Sequence, residues 1–372
     1  MSQTLRSTAP NEAVLVAVGD VLTTRTLAPM LDTGGADSHS VLPILKNADI
    51  TLANLEVCLT RRGYPAEKLV TLRADPDVAR ELRDAGIDIV SLANNHMLDF
   101  GYEGLTDTLD ALNSVGVHHV GGGEDLVSAM RETVLSRKNC KIAFLSFSAC
   151  LPLGSEAGPD RPGIAPIRVT TSYEIDPATL QEQPGTVQVV RTAVNPSDLT
   201  ATVHAIKRAK SAADFLVVAV HWGVAYQDNL AQYQRELAHA MVDSGADLII
   251  GHHPHVPHAV EMYKCKAILY SLGNFVTQYQ SSPALSELLQ SIGIDMKAEK
   301  EKGAETFIVK AIFSAGDSVR VQLIPILIDG RGIPRLVDNS NATRLIRKLA
   351  TLSTGLAKID FSDGLGLVMD RE

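Results

Sequence analysis

Apolar runs of strand length recur along the chain, and several end in a side chain able to hold a metal ion. They are Val14–Asp20, Ile50–Glu56, Ile87–His96, Phe215–His221, Asp247–His255 and Ile268–Asn274. Between them lie segments whose apolar residues fall every three or four positions. Val78, Leu82 and Ala85 do so within Asp75–Ala85, and Leu105, Leu109 and Leu112 within Gly104–Val115. That spacing is the period of an amphipathic helix, and Gly86 and Gly116 supply the stops. Further strands are predicted at Val117–Val120 and Lys141–Phe147, and further helices at Leu199–Ala213 and Asn229–Ser244. Repeated strand–helix–strand units predict a largely parallel sheet with helices on its faces.

The rhythm changes in three places. Leu151–Pro196 holds many of the 17 prolines and no long apolar run; it reads as a loop over the strand ends or as a tolerated surface insertion. Ser281–Gly303 is polar and charge-rich, a mobile excursion by composition. Phe307–Phe313 and Val319–Ile328 read as neighbouring strands joined through Ala315–Ser318, forming a second sheet or extending the first. The expected organisation is a disordered N-terminus over 1–12, one domain over 13–335 with a loop insertion at 151–198, and a helical tail over 336–372.

At 372 residues and 45% hydrophobic content the chain can bury a full core. Its net charge of −9 argues against nonspecific nucleic-acid binding, which needs a basic face. Cys58, Cys140, Cys150 and Cys265 show no CxxC spacing and read as buried, reduced thiols. Met1–Asn11 is polar, and no apolar stretch nears the roughly 20 residues that span a bilayer. The expectation is therefore a cytoplasmic protein without an integral membrane segment. Its oligomeric state is not encoded in any pattern.

The strand endings carry the chemistry, because open α/β sheets bind ligands at the carboxyl ends of their strands. His253 and His255 flank Pro254; in extended geometry residues two apart face the same side, so both can address one ion. His221 follows only apolar residues and needs a partner, either an ion or a backbone carbonyl. Asn95 can offer its amide oxygen to a metal. The adjacent His96, too constrained to share that ion, is free to act on substrate as a proton donor. Asp99 would fix the tautomer of His96 or, alternatively, cap the helix that follows. Asp20 and Glu56 add anionic charge, and Glu56 can bridge two ions about 3.5–4 Å apart. Trp222, the single tryptophan, either walls the site or packs.

These pieces run in a fixed order over about residues 13–330: Gly19–Asp20 with Arg25, Ala53–Glu56, Leu92–His96 with Asp99 and Gly101, Arg161–Gly163, His221–Gly223, Gly245–Val256 and Tyr270–Phe275. At them the chain resembles the CapA family of capsule-biosynthesis proteins, associated with poly-γ-glutamate synthesis and related to the calcineurin-like metallophosphoesterases. The resemblance implies an α/β fold, a metallophosphoesterase-like two-sheet sandwich flanked by helices (α-β-β-α). It implies one ion on Asp20, Glu56 and His255, and another on Glu56, Asn95, His221 and His253, with His96 over the substrate. One or two divalent ions are expected, of Mn, Zn, Fe or Mg.

The chain departs from these patterns at Leu22, where metallophosphoesterases carry a histidine, and at Ala225, where the family commonly has an acid; it is also expected to work without the membrane anchor of many capsule-type members. The function expected is hydrolysis of an amide, peptide or glutamyl-type bond through metal-activated water. The substrate would be a small molecule, peptide or polymer bearing a carboxylate. Arg25 or Arg161 would pair with that carboxylate, and Asn94, Trp222, His252 and Asn274 would complete the substrate contacts. Phosphoester hydrolysis, metal-assisted epimerisation at an α-carbon and noncatalytic polymer binding are the competing readings.

Overall fold

The computed structural model describes residues 12–31, 37–278, 287, 290–291, 295–314 and 319–370. The expected disorder of the N-terminus, the turn at 315–318 and residues 281–286, 288–289 and 292–294 of the expected excursion lie outside the described residues, while the end of that excursion is the helix Met296–Lys302.

The strand Ala13–Thr23 is buried along its whole length, and its alternation decides the architecture. Leu15 and Ala17 point into one apolar layer, while Val16 and Val18 point into another. A strand with two buried faces needs cover on both sides. On one side, Leu15, Ala17, Ile50 and Leu52 meet Phe144, Val217, Leu248 and Ile250 from a second sheet. On the other, Val16, Val18 and Ala53 meet helix residues Leu82, Leu105 and Leu112. The second sheet repeats the scheme: Leu145, Val218 and Ile249 on its outer face pack on Ile206, Ala209, Leu237 and Met241. Those residues come from the helices Pro196–Ser211 and Gln232–Ser244. Helix, sheet, sheet and helix thus form four layers.

Among the described residues the first sheet has 10 strands and the second 6. In the first, Ala13–Thr23, Ile50–Leu55, Ile89–Ser91 and His118–Val120 run parallel. Glu305–Phe313 and Arg320–Ile328 join antiparallel, so the late strands extend the first sheet. In the second, Cys140–Ser148, Phe215–His221, Leu248–His252 and Lys266–Leu269 are mutually parallel.

Two expectations need correction. The C-terminal tail is helical only over Asn339–Leu352. Lys358–Ser362 and Leu365–Met369 then form a hairpin that pairs with Arg320–Ile328 and closes the edge of the first sheet. The helix buries Leu345, Ile346 and Leu349 in the layer between the sheets, so the tail belongs to the core. The insertion is not a structureless loop either. Val169–Glu174 and Val189–Val194 pair as an antiparallel ribbon, tied to the Gln232–Ser244 helix where Tyr233 N donates to Thr192 Oγ1 at 3.1 Å. Among the described residues, no helix is long and apolar enough to cross a membrane.

The register of Ala13–Thr23 shifts on either side of Asp20. Beyond that point Asn274–Gln278 pairs with the strand in parallel. Gly19 makes this exchange possible: a Cβ there would lie 1.9 Å from the Gly273 carbonyl oxygen. Gly19→Ala is therefore expected to push the two strands apart and displace Asp20. The loss should be on the order of 1–3 kcal/mol, read by denaturant unfolding.

Candidate metal centre

The carboxyl ends of both sheets' parallel strands open toward one another, and the six polar endings meet there. Asp20 and Glu56 are fully buried. Asn54 Nδ2 donates to Asp20 Oδ1 at 2.9 Å, and the His253 backbone N–H donates to Asp20 Oδ2 at 3.3 Å. His252 Nδ1 and His255 Nδ1 stand 3.2 and 3.3 Å from the same carboxylate. Glu56 Oε1 lies 3.6 Å from His221 Nε2, 3.8 Å from His255 Nε2 and 4.0 Å from His96 Nε2. Ligand atoms of Asp20, Glu56 and His221 all lie within 4.8 Å of one another, as do those of Glu56, His253 and His255.

Among the described residues, neither oxygen of Glu56 has a hydrogen-bond partner. A buried carboxylate with no donor is costly, and imidazole nitrogens surround this one. That is the arrangement a divalent cation completes, so the donor set fits a metal.

The electrostatics show the same incompleteness. Burial pushes Glu56 well above the usual carboxylate range, and the Asp20 charge adds to it. Asp20 is also opposed by burial, yet His252 and His255 hold it well below its usual value. Burial drives His253 down to about 3, with His255 adding to the effect. For His255, burial is outweighed by Glu56 and Asp20, which raise it to about 9. Burial and the neighbouring His253 hold His221 well below its ordinary value. The lowered His221 and His253 stay neutral and Asp20 stays anionic, as cation ligation requires, whereas Glu56 and His255 are pushed toward their protonated forms and would release protons on ligation.

Beside the cluster sits a second assembly. Asn95 Oδ1 accepts from His221 Nε2 at 2.7 Å, which places Asn95 with the ligand set. His96 Nδ1 donates to Asp99 Oδ2 at 2.6 Å, leaving Nε2 turned toward Glu56. Asp99 also accepts from the Leu72 N–H at 2.6 Å and from Lys68 Nζ at 2.7 Å. It makes no cap for the helix Gly101–Val115, whose N-cap residue is Phe100. A cleft of about 350 Å³ opens here, bordered by Tyr64, Lys68, Asn95, Tyr102 and Leu153. The front of the insertion, Pro152–Ser155, forms part of its wall.

Of the residues expected to touch substrate, four are buried at or beside the cluster and the two arginines are exposed. Trp222 is fully buried, stacks on Tyr270 and donates its indole N–H to the Tyr270 carbonyl at 2.9 Å; it packs. Asn94 is buried too, donating to the Leu55 carbonyl at 2.8 Å and accepting from the His96 N–H at 3.1 Å. Asn274 accepts from His255 Nδ1 at 2.9 Å, and His252 lies buried against Asp20. These three brace the cluster from behind. Arg161 donates to the Glu156 carbonyl at 3.0 Å, and Arg25 is exposed past the end of its strand. Neither arginine has a described contact with the cluster.

The reason for His253 and His255 sharing a site also differs from extended geometry. The strand ends at His252, and both residues have positive φ, +96° and +59°. Such backbone is uncommon outside glycine and clusters at functional sites. Two residues carried no sequence signal. Lys68 sits in an aperiodic loop, and Cys150 reads as a core thiol. The structure puts Lys68 on the His96–Asp99 pair and Cys150 near His221 and His253.

Fold and site together define an α-β-β-α sandwich with a mixed carboxylate, amide and imidazole cluster at its strand ends. The chain belongs to the bacterial capsule synthesis protein family PGA_cap, whose family model matches residues 14–279. It is 32% identical to the capsule biosynthesis protein CapA of Bacillus anthracis over 70% of this chain and 59% of that protein. It is likewise 32% identical to the PGA biosynthesis protein CapA of Bacillus subtilis, over 70% of this chain and 62% of that one. The chain thus spans about 60% of the length of these relatives. A Staphylococcus aureus structure, described as a candidate 5'-nucleotidase in complex with alpha-ketoglutarate, overlaps 91% of this chain and 58% of its own at 12% identity and a TM-score of 0.41.

Proposed function

We propose that the protein is a metal-dependent hydrolase of amide or glutamyl-type bonds in a substrate carrying a carboxylate. The observation that carries the proposal is the buried Glu56, without a donor among the described residues, beside His96, whose Nδ1 is held by Asp99 in the wall of an open cleft. Asp20, Glu56 and His255 would hold one divalent ion, and Glu56, Asn95, His221 and His253 a second. Such ions supply Lewis acidity and make water nucleophilic near neutral pH.

The chain's own groups supply the rest. Asp99 holds His96 in the tautomer with its proton on Nδ1, and Lys68 with the Leu72 N–H keeps Asp99 in place. His96 Nε2 then faces the centre, where it exchanges a proton with a leaving amine once protonated. The Lys68 ammonium gives the cleft a cation for an anionic substrate. The names of the relatives, which concern capsule and PGA biosynthesis, favour a glutamyl chain as that substrate.

Phosphoester hydrolysis is the weaker reading. The position that departs from the metallophosphoesterase pattern, Leu22, is buried in the helix-side core and offers the first ion nothing. The test is incubation of Mn- or Zn-loaded protein with a γ-linked glutamyl oligopeptide and, separately, with p-nitrophenyl phosphate. New amine ends are expected from the peptide. Phosphate release without amine release would overturn the assignment.

A further inference from the structure

The strand Cys140–Ser148 belongs to the second sheet and runs parallel to the His221 strand. Its continuation places a thiol at the cluster. Ala149 N–H donates to the His221 carbonyl at 2.8 Å. The Ser148 hydroxyl then locks the turn, donating to the Cys150 carbonyl at 2.9 Å and accepting from the Cys150 N–H at 3.1 Å. As a result the Cys150 sulfur and nitrogens of His221 and His253 all lie within 4.8 Å of one another.

Two neighbours point to a ligand. His253 Nδ1 is buried with no hydrogen-bond partner among the described residues, and the His221 and His253 rings stand 4.8 Å apart between centroids. Glu56, fully buried, also leaves both oxygens unpaired beside His221. A structural core thiol would have apolar neighbours; this one stands within 4.8 Å of two imidazoles.

We infer that Cys150 is a ligand of the ion held by His221 and His253, making that position a sulfur-containing site. The inference rests on the metal-centre reading above. On ligation the S–H bond is exchanged for a metal–sulfur bond and the proton leaves to solvent. Without a metal, burial and the charges of Glu56 and Asp20 keep the thiol protonated. A thiolate among imidazoles is a soft donor set that favours Zn or Co over Mg. The site formed with Asp20, Glu56 and His255 keeps more oxygen donors. The two positions would therefore differ in metal preference.

The test is X-ray absorption of the full-length protein loaded with Zn, alongside Cys150→Ser, with metal content measured for both. The wild type is expected to show a zinc–sulfur path near ~2.3 Å, lost in Cys150→Ser while the variant retains bound metal. Co-loaded wild type should show a sulfur-to-metal charge-transfer band that the variant lacks. Zinc bound with nitrogen and oxygen neighbours alone in the wild type would overturn the role of Cys150 and leave the metal centre standing. A sulfur path that persists in Cys150→Ser would overturn it as well, assigning the signal to another thiol. A wild type that binds no metal would overturn both.

Discussion

Replacing Glu56 with glutamine is expected to abolish binding at the shared centre and, in the opposite direction, to stabilise the metal-free protein. The two effects have one cause. Glu56 is fully buried, and among the described residues neither oxygen meets a hydrogen-bond donor. Without a cation, folding must either bury an uncompensated negative charge next to Asp20 or take up a proton, which is why burial raises its pKa. The amide removes that cost, which for a buried unsatisfied group is on the order of 1–3 kcal/mol. With metal present the sign reverses. The wild type gains about 2.7 kcal/mol when free metal stands at 100 times its dissociation constant, and Glu56→Gln gains little because the bridging anion is gone. Thermal unfolding of both proteins, with chelator and with added Mn or Zn, reads the crossover. If the variant were destabilised by the same amount under both conditions, Glu56 would be a packing residue and the metal centre would lose its principal support.

The sequence made the strand ends legible for a physical reason. A strand buried on both faces shows a continuous apolar run, so a polar residue that breaks or ends it stands out, as Asp20 and His221 do; Asn274 instead opens the strand Asn274–Gln278, past the run that ends at Leu269. Convergence followed from parallel pairing, which brings like ends to one edge. What the sequence hid lacks such contrast. Val169–Glu174 and Val189–Val194 are mostly exposed, so neither shows the alternation of a half-buried strand. Lys358–Ser362 forms the exposed sheet edge and is similarly masked. Lys68 is positioned by a loop, whose path no periodicity predicts. The sequence places Trp222 and Asn274 near the site, but their partners Tyr270 and His255 are supplied only by tertiary packing. The positive φ at His253 and His255 likewise comes from the fold forcing the chain across the strand end, against local preference.

The largest effect on turnover should come from His96, and its dependence on Asp99 distinguishes a catalytic pair from a structural one. His96→Ala is expected to lower amide hydrolysis by about 10²–10⁴-fold, the usual contribution of a positioned acid or base, with metal content unchanged. Asp99→Asn should approach the same loss, because Asp99 acts through the imidazole: it holds Nδ1 at 2.6 Å and fixes the tautomer that turns Nε2 toward the centre. An amide in its place is a weaker acceptor and releases Lys68, now paired with the carboxylate at 2.7 Å. If the two residues work as one unit, the double variant should be little slower than His96→Ala alone. Losses that multiply would mean that Asp99 serves the fold of the Leu72 loop and the cation at Lys68, with His96 acting unaided. Unfolding midpoints measured on the same three proteins separate these cases, since a structural role lowers stability in step with rate whereas a positioning role leaves it nearly unchanged.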